Sequence, residues 1–182
     1  MTGVFTLNFT KFSPADFPER YEVIDGIIYD MTPPPLEIHQ RIITNLIGEF
    51  ILYLKNKPCK VYTAPFGVWW NANSEEHVEP DLVVICDSSK ILEKGCVGAP
   101  DLIVEVLSRA TASKDKGVKL RKYRASGVRE YWIVDPVNEL VEVYFFQENV
   151  FREPDIFDTM ETTMLYCGIF DDLNIEVRRL FL

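Results

Sequence analysis

Four side chains set the chemistry open to this chain: Asp81, Glu105, Lys119 and Lys122. Asp81 follows Pro80 near the head of an apolar run that ends at Cys86. Glu105 is set inside a second run, DLIVEVL, from Asp101 to Leu107. A bare carboxylate in such a run is costly to bury unless it is paired, hydrogen-bonded or bound to a metal. Strand alternation puts Glu79, Asp81 and Val83 on one side of the first run, and Asp101, Ile103 and Glu105 on one side of the second. If the two strands are neighbours, Asp81 and Glu105 converge on one cation. Hard, oxygen-only ligands select magnesium or manganese over zinc. Asp115, Lys119 and Lys122 follow at i, i+4 and i+7, one face of a helix. An ammonium there can orient an attacking water or neutralise a phosphate during in-line displacement.

The elements that must position these groups are legible in outline. Tyr21 to Met31 predicts a hairpin of two short strands around Asp25-Gly26, a dipeptide suited to a tight primed turn. Pro33, Pro34 and Pro35 then stop regular structure. Ile38, Ile42, Leu46, Phe50 and Leu54 recur at four-residue spacing and predict a long amphipathic helix from Glu37 to Leu54. Strands are expected over Val61–Trp70, Val78–Cys86 and Leu102–Leu107, with a loop and a short helix near Ile91-Leu92 between the last two. Ser113 to Ser126 reads as a helix capped by Ser113 and stopped by Gly127. Glu130–Val134 and Leu140–Phe146 read as a strand pair joined through Asp135-Pro136, and the remainder completes the sheet. The order helix, three strands, helix, strand predicts an α/β fold: a mixed sheet with helices on its faces.

At 182 residues, nearly half of them apolar, the chain is expected to form one globular domain with a core from about residue 20 to 180. The formal net charge of −9 argues against a surface coated for nucleic-acid binding. The distribution runs the other way locally. Between Arg109 and Arg129 eight basic residues (Arg109, Lys114, Lys116, Lys119, Arg121, Lys122, Arg124, Arg129) stand against one acid, Asp115. The four cysteines form no CxxC pair and the two histidines are far apart, so neither a zinc site nor a disulfide framework is expected. No signal peptide and no membrane span is expected, which predicts a cytoplasmic protein.

Pro80-Asp81 with Glu105-Val106-Leu107 resembles the PD-(D/E)XK motif of restriction-endonuclease-like nucleases. The longer string PDLIVEVLS, Asp115, Lys119, Tyr123, Gly127-Val128, Glu130-Tyr131-Trp132 and Asp135-Pro136 is similar to a large bacterial family of endonucleases long catalogued as a domain of unknown function. His39 and the N-terminal hairpin fit the same family. The resemblance implies a restriction-endonuclease-like mixed β-sheet flanked by helices, with an N-terminal β-hairpin. It implies a Mg2+- or Mn2+-dependent hydrolase of phosphodiester bonds in DNA, with the metal held by Asp81, Glu105 and the backbone carbonyl of Val106. The motif's usual lysine position, two after the second acid, is Leu107 here. The resemblance therefore implies a migrated lysine, Lys119, with Lys122 as substitute.

Other readings of the same residues stay open. Asp81 can be a turn residue, and Glu105 can pair with Arg109 or a helix lysine for structural reasons. His39 can begin a helix or transfer a proton. Glu49 can support a second cation or lie exposed, His77 reads as surface, and Trp69-Trp70 can stack on bases or pack in the core. Lys114, Lys116, Arg121 and Lys122 are the expected contacts to DNA, unless that helix presents only a solvated face. The alternative function is a catalytically weak or inactive nuclease-fold module that binds nucleic acid or protein. Double-strand cleavage by a one-site chain would call for a homodimer.

Overall fold

The computed structural model describes residues 4–6, 18–31, 34–146, 152–160 and 163–182, residues 4–6 by their backbone alone. The N-terminal stretch read for a signal peptide lies almost wholly outside these residues, and so does Pro33. Strand β1 (Val4–Thr6) pairs with the hairpin β2 (Tyr21–Ile24) and β3 (Ile27–Asp30). Asp25 and Gly26 turn it with φ of 51° and 74°, the left-handed pair that a primed turn requires. Helix α1 (Glu37–Leu54) begins just beyond Pro35 and buries Ile42, Ile43, Leu46, Phe50 and Leu54, as its four-residue spacing predicts.

Two of the expected strands are each divided between sheets. Val61–Trp70 becomes β4 (Lys60–Thr63) and β5 (Gly67–Trp69), broken at the cis Ala64-Pro65 bond. Val78–Cys86 becomes β6 (His77–Val78) and β7 (Leu82–Ile85), broken at Pro80. Proline cannot donate to a strand ladder, so both breaks fall where the chain changes sheet. Asp81 consequently stands at a crossing between sheets rather than within a strand. The loop expected to hold a short helix at Ile91-Leu92 carries instead a 3-10 turn, Ser88–Lys90, and the strand pair β8 (Ile91–Leu92) and β9 (Gly95–Val97).

Beyond it come β10 (Leu102–Val106), α2 (Ala112–Lys114), a π-helical turn (Asp115–Lys119) and α3 (Leu120–Ala125). Ser113 lies inside this helical run and does not cap it. Thr111 holds the cap position, and its hydroxyl is engaged with Ser108. The chain continues through β11 (Glu130–Asp135), β12 (Leu140–Phe145), β13 (Asp155–Asp158), β14 (Met164–Cys167), β15 (Phe170–Glu176) and α4 (Arg178–Phe181).

Among the described residues, one sheet runs β1-β3-β2-β6-β5-β9-β8 and a second runs β13-β12-β11-β10-β7-β4. Only β13 of the last part joins the second sheet; β14 and β15 form a ribbon of their own. In the second sheet β10 is antiparallel to β7 and parallel to β11. Strands β7 and β10 are buried along their whole length, as a sheet covered on both faces demands. One face, with Leu82, Val104, Trp132 and Val143, packs on α1, the β14–β15 ribbon and α4. The other, with Val83, Ile103, Leu107 and Ile133, packs on Ile24, Val68 and Val78 of the first sheet and on Tyr123 of α3.

The parallel β10–β11 pair needs a crossover, which α2, the π turn and α3 supply. That crossover lies on the face where Ile103, Glu105 and Leu107 alternate with the oppositely directed Val104 and Val106. Strand register and crossover side together aim the π turn at Glu105.

No described helix is long and apolar enough to cross a membrane. A single disulfide joins Cys59, just before β4, to Cys86, just after β7, while Cys96 and Cys167 are buried and free. The cysteine spacing does not reveal this link, because the two residues are 27 apart in the chain and meet only through the β4–β7 pairing.

Phe50 is fully buried and packs 5.7 Å from the Trp132 ring. Truncating it leaves a cavity, so Phe50→Ala is expected to lower unfolding stability by about 3–5 kcal/mol in urea denaturation. A loss below about 1 kcal/mol would contradict this account of the core.

Candidate active site

Register extends from Val104 opposite Leu82 to put Glu105 beside Asp81, since β10 and β7 run antiparallel. Asp81 Oδ2 accepts a hydrogen bond from the Val106 amide at 2.8 Å and lies 3.2 Å from His39 Nε2. Glu105 Oε1 accepts from Lys119 Nζ at 2.8 Å and from the Tyr123 hydroxyl at 2.7 Å. Each acid thus has one oxygen fixed by the protein. The other oxygen of each, Asp81 Oδ1 and Glu105 Oε2, has no hydrogen bond among the described residues.

Lys119 is almost wholly buried, 2 % exposed, and three acids surround it. Its Nζ lies 2.8 Å from Glu105 Oε1, 2.7 Å from Glu22 Oε1 and 3.8 Å from Asp115 Oδ1. Burial disfavours its charge, yet Glu105, Glu22 and Asp115 more than compensate and hold the ammonium well above its usual range. Glu22 is fully buried as well, with Lys114 Nζ on its second oxygen at 2.6 Å and the Glu79 amide on its first at 3.1 Å. Burial raises its pKa, but Lys119 and Lys114 bring it below the ordinary carboxylate value.

Negative charge exceeds positive here. Four carboxylates (Glu22, Asp81, Glu105, Asp115) face two ammonium groups, Lys114 and Lys119. The surplus falls on Glu105, whose carboxyl is pushed up to about 8 by burial, against Lys119, and by Asp115, Asp81 and Glu22. Asp115 is raised too, chiefly by burial, and its buried Oδ1 has no hydrogen-bond partner. His39 is depressed by burial but raised overall by Asp81 and the backbone of Val106. A divalent cation suits this donor set: open carboxylate oxygens, an orphaned buried acid oxygen and uncompensated charge. The described residues hold no ready-made group of three or more His, Cys, Asp or Glu ligands.

Of the residues singled out from sequence, the structure brings Asp81, Glu105, Val106, Lys119 and His39 together. It separates Lys122, which lies about 60° around the helix from Lys119 at 3.6 residues per turn. Lys122 Nζ bonds Asp25 at 3.0 Å and Glu76 at 2.5 Å and leaves the acids to Lys119. Leu107 packs in the apolar layer beneath the helix, on the same side of β10 as Glu105. Asp101, which follows Pro100 as Asp81 follows Pro80, accepts from the Cys86 amide at 2.8 Å and meets Arg129, a link between strand ends. Glu49 pairs with Arg179 at 3.0 Å. His77 is not a free surface residue: Tyr21 and Trp69 flank its ring, and Trp70 packs against Tyr123.

The expected DNA contacts also divide. Lys114 is held by Glu22, Lys116 by Glu142 at 2.5 Å, and Lys122 by Asp25 and Glu76. Arg121 is exposed and lines a cleft of about 910 Å³ together with Arg20, Arg109 and Lys114. Asp81 and His39 line the same cleft, and Tyr29, Met31, Pro34, Pro35 and Leu36 supply an apolar part of its wall. Glu22 was missed from sequence, although the signal was there. It alternates with the apolar Ile24 on one face of β2, the pattern that singled out Glu105.

Comparison with known proteins places the family and the fold. The chain matches the family model Uma2, "Putative restriction endonuclease", over residues 12–176, and it belongs to that family. Its fold is that of the restriction-endonuclease-like superfamily. The crystal structure of "a putative nuclease belonging to DUF820" from Anabaena variabilis superposes with a TM-score of 0.72 at 22% identity, covering 92% of this chain and 94% of that one. Two uncharacterised proteins of a Synechocystis strain are similar in sequence. Protein sll1609 is 30% identical over 69% of this chain and 72% of its own length. Protein slr1290 is 27% identical over 75% of each chain.

The raised pKa of Glu105 carries a sign. The folded state keeps a proton that the unfolded state releases near 4.5, so this group's stabilising contribution is lost as pH rises from there through about 8. Metal-free protein is expected to lose thermal stability between about pH 5 and 8, and Glu105→Gln to flatten that decline. Differential scanning fluorimetry across that range reads it directly. A variant that declines as steeply as the wild type would contradict the assignment of the surplus charge to Glu105.

Proposed function

We propose that the protein is a Mg2+- or Mn2+-dependent endodeoxyribonuclease acting on cytoplasmic DNA, its 182 residues forming one restriction-endonuclease-like domain. The observation that carries this reading is the meeting of Asp81, Glu105 and Lys119, with an unbonded oxygen on each acid. Asp81, Glu105 and the Val106 carbonyl would hold the cation, which supplies Lewis acidity at a phosphoryl oxygen and an acidified water. The protein's own groups do the rest. The Val106 amide and His39 fix the rotamer of Asp81, while Tyr123 and Lys119 fix that of Glu105. Lys119 supplies a permanently charged donor in a water-poor setting, where it stabilises charge that develops on the phosphate oxygens.

His39, its protonated form favoured by Asp81, lines the cleft and can carry a proton toward the leaving oxygen. Arg109 and Arg121 give the cleft a basic lining, which suits a polyanion despite the acidic body, while Arg20 and Lys114 on the same wall are tied to Glu79 and Glu22. Lys116 and Lys122, tied to carboxylates, would contribute less. With one site per chain, cutting both strands would call for a homodimer.

A second reading has support in Leu107 and in the neutralised lysines: a nuclease-fold module that binds nucleic acid or protein without turnover. Calorimetric titration with Mn2+ separates the two, since the binding module has no need of the cation.

Asp81→Ala and Glu105→Ala are each expected to abolish Mg2+-dependent plasmid nicking while the thermal transition stays cooperative. Lys119→Met should slow it by about 10²–10³-fold, and Lys122→Ala should change it less than about threefold, because Lys122 is tied to Asp25 and Glu76 and leaves the acids to Lys119. Undiminished nicking by both acid variants would overturn the assignment.

A further inference from the structure

We propose that Glu22, on the N-terminal hairpin, is a positioning residue that aims the Lys119 ammonium at the cation-binding acids; this rests on the nuclease reading above. Leucine stands at position 107, just beyond β10, and the ammonium arrives instead from the π turn on a long, rotatable side chain. Glu105 alone supplies one hydrogen bond to it, and Asp115 stands off at 3.8 Å. Glu22 supplies the shortest contact, 2.7 Å, from another element and from fully buried surroundings.

Glu22 is itself held from two further directions. Lys114, five residues before Lys119, donates to its second oxygen at 2.6 Å, and the Glu79 amide, two residues before Asp81, donates to its first at 3.1 Å. One carboxylate thereby ties α2, through Lys114, and the π turn, through Lys119, to the segment that delivers Asp81. The hairpin buries an acid there although Glu105 and Asp115 already crowd the site with negative charge, which raises Glu105 further. A group serving stability alone would be better apolar, since replacing a buried ion pair by well-packed apolar residues is often neutral or stabilising. Fixing the lysine accounts for a carboxylate at this point.

The test uses the full chain and two readouts. In single-turnover cleavage at saturating Mn2+, Glu22→Gln is expected to slow the reaction by about 10–100-fold, with KM and calorimetric Mn2+ affinity within about threefold. The double variant Glu22→Gln/Lys119→Met should be no slower than Lys119→Met alone, because Glu22 acts through that lysine. Losses that multiply in the double variant, or a loss of Mn2+ binding in Glu22→Gln, would overturn the proposal.

The second readout does not need activity. In protein labelled with 15N at lysine side chains, Lys119 Nζ should give a slowly exchanging ammonium signal, assigned by its absence in Lys119→Met. Lys114→Gln, which frees Glu22 from the cleft side and is the milder variant should Glu22→Gln unfold, must accelerate its exchange. An unchanged Lys119 signal in folded Lys114→Gln and Glu22→Gln would exclude positioning. If wild-type protein cuts no substrate yet this signal responds, the nuclease reading fails and the clamp stands.

Discussion

A buried ammonium among buried acids is the interaction on which the site depends. Lys119 is compatible with the interior because Glu22 and Glu105 touch it, and those acids are compensated in turn by the lysine, with Lys114 assisting at Glu22. Removing one partner from such a set leaves an uncompensated buried charge, which costs about 3–5 kcal/mol. The three groups come from three separate elements: the hairpin, β10 and the π turn. Their pairing therefore sets how the first sheet, the second sheet and the crossover sit together.

The crossover explains how the lysine can lie where it does. A parallel β10–β11 pair must be joined over one face of the sheet, and here that is the face toward which Glu105 and Leu107 project. A lysine two residues after the acid would approach along the strand; one on the crossover approaches from above the same face. The space along the strand is then free for Leu107 to join the apolar layer. The π turn, an insertion that recurs at functional sites, keeps Asp115 and Lys119 near each other and leaves Lys122 to the outer acids Asp25 and Glu76.

Much of this was legible in the residues. The Asp25-Gly26 turn, helix α1 and strand β10 followed from turn chemistry and periodicity, because those local patterns agree with the tertiary fold. The acids stood out because a carboxylate in an apolar run needs a partner. Two errors share one cause: in Val61–Trp70 and Val78–Cys86 apolar residues lie on both sides of a proline, and hydropathy does not show that the chain changes sheet there. The basic run misled for a different reason. Sequence gives the sign of a charge but not its neighbours, and Lys114, Lys116 and Lys122 each meet an acid more than twenty residues away. For Glu22 the alternation with Ile24 marks a buried acid, but its partners Lys114 and Lys119 are remote in the chain and do not show in the sequence.

The central claim is that Asp81 and Glu105 share one divalent cation beside Lys119. A crystal grown with Mn2+ and measured at the manganese absorption edge tests it most directly. The account predicts one anomalous peak in contact with both carboxylates, with the Lys119 ammonium still bonded to Glu105 or Glu22. An ordered site with no peak at saturating Mn2+, or a peak that touches neither acid, would contradict it.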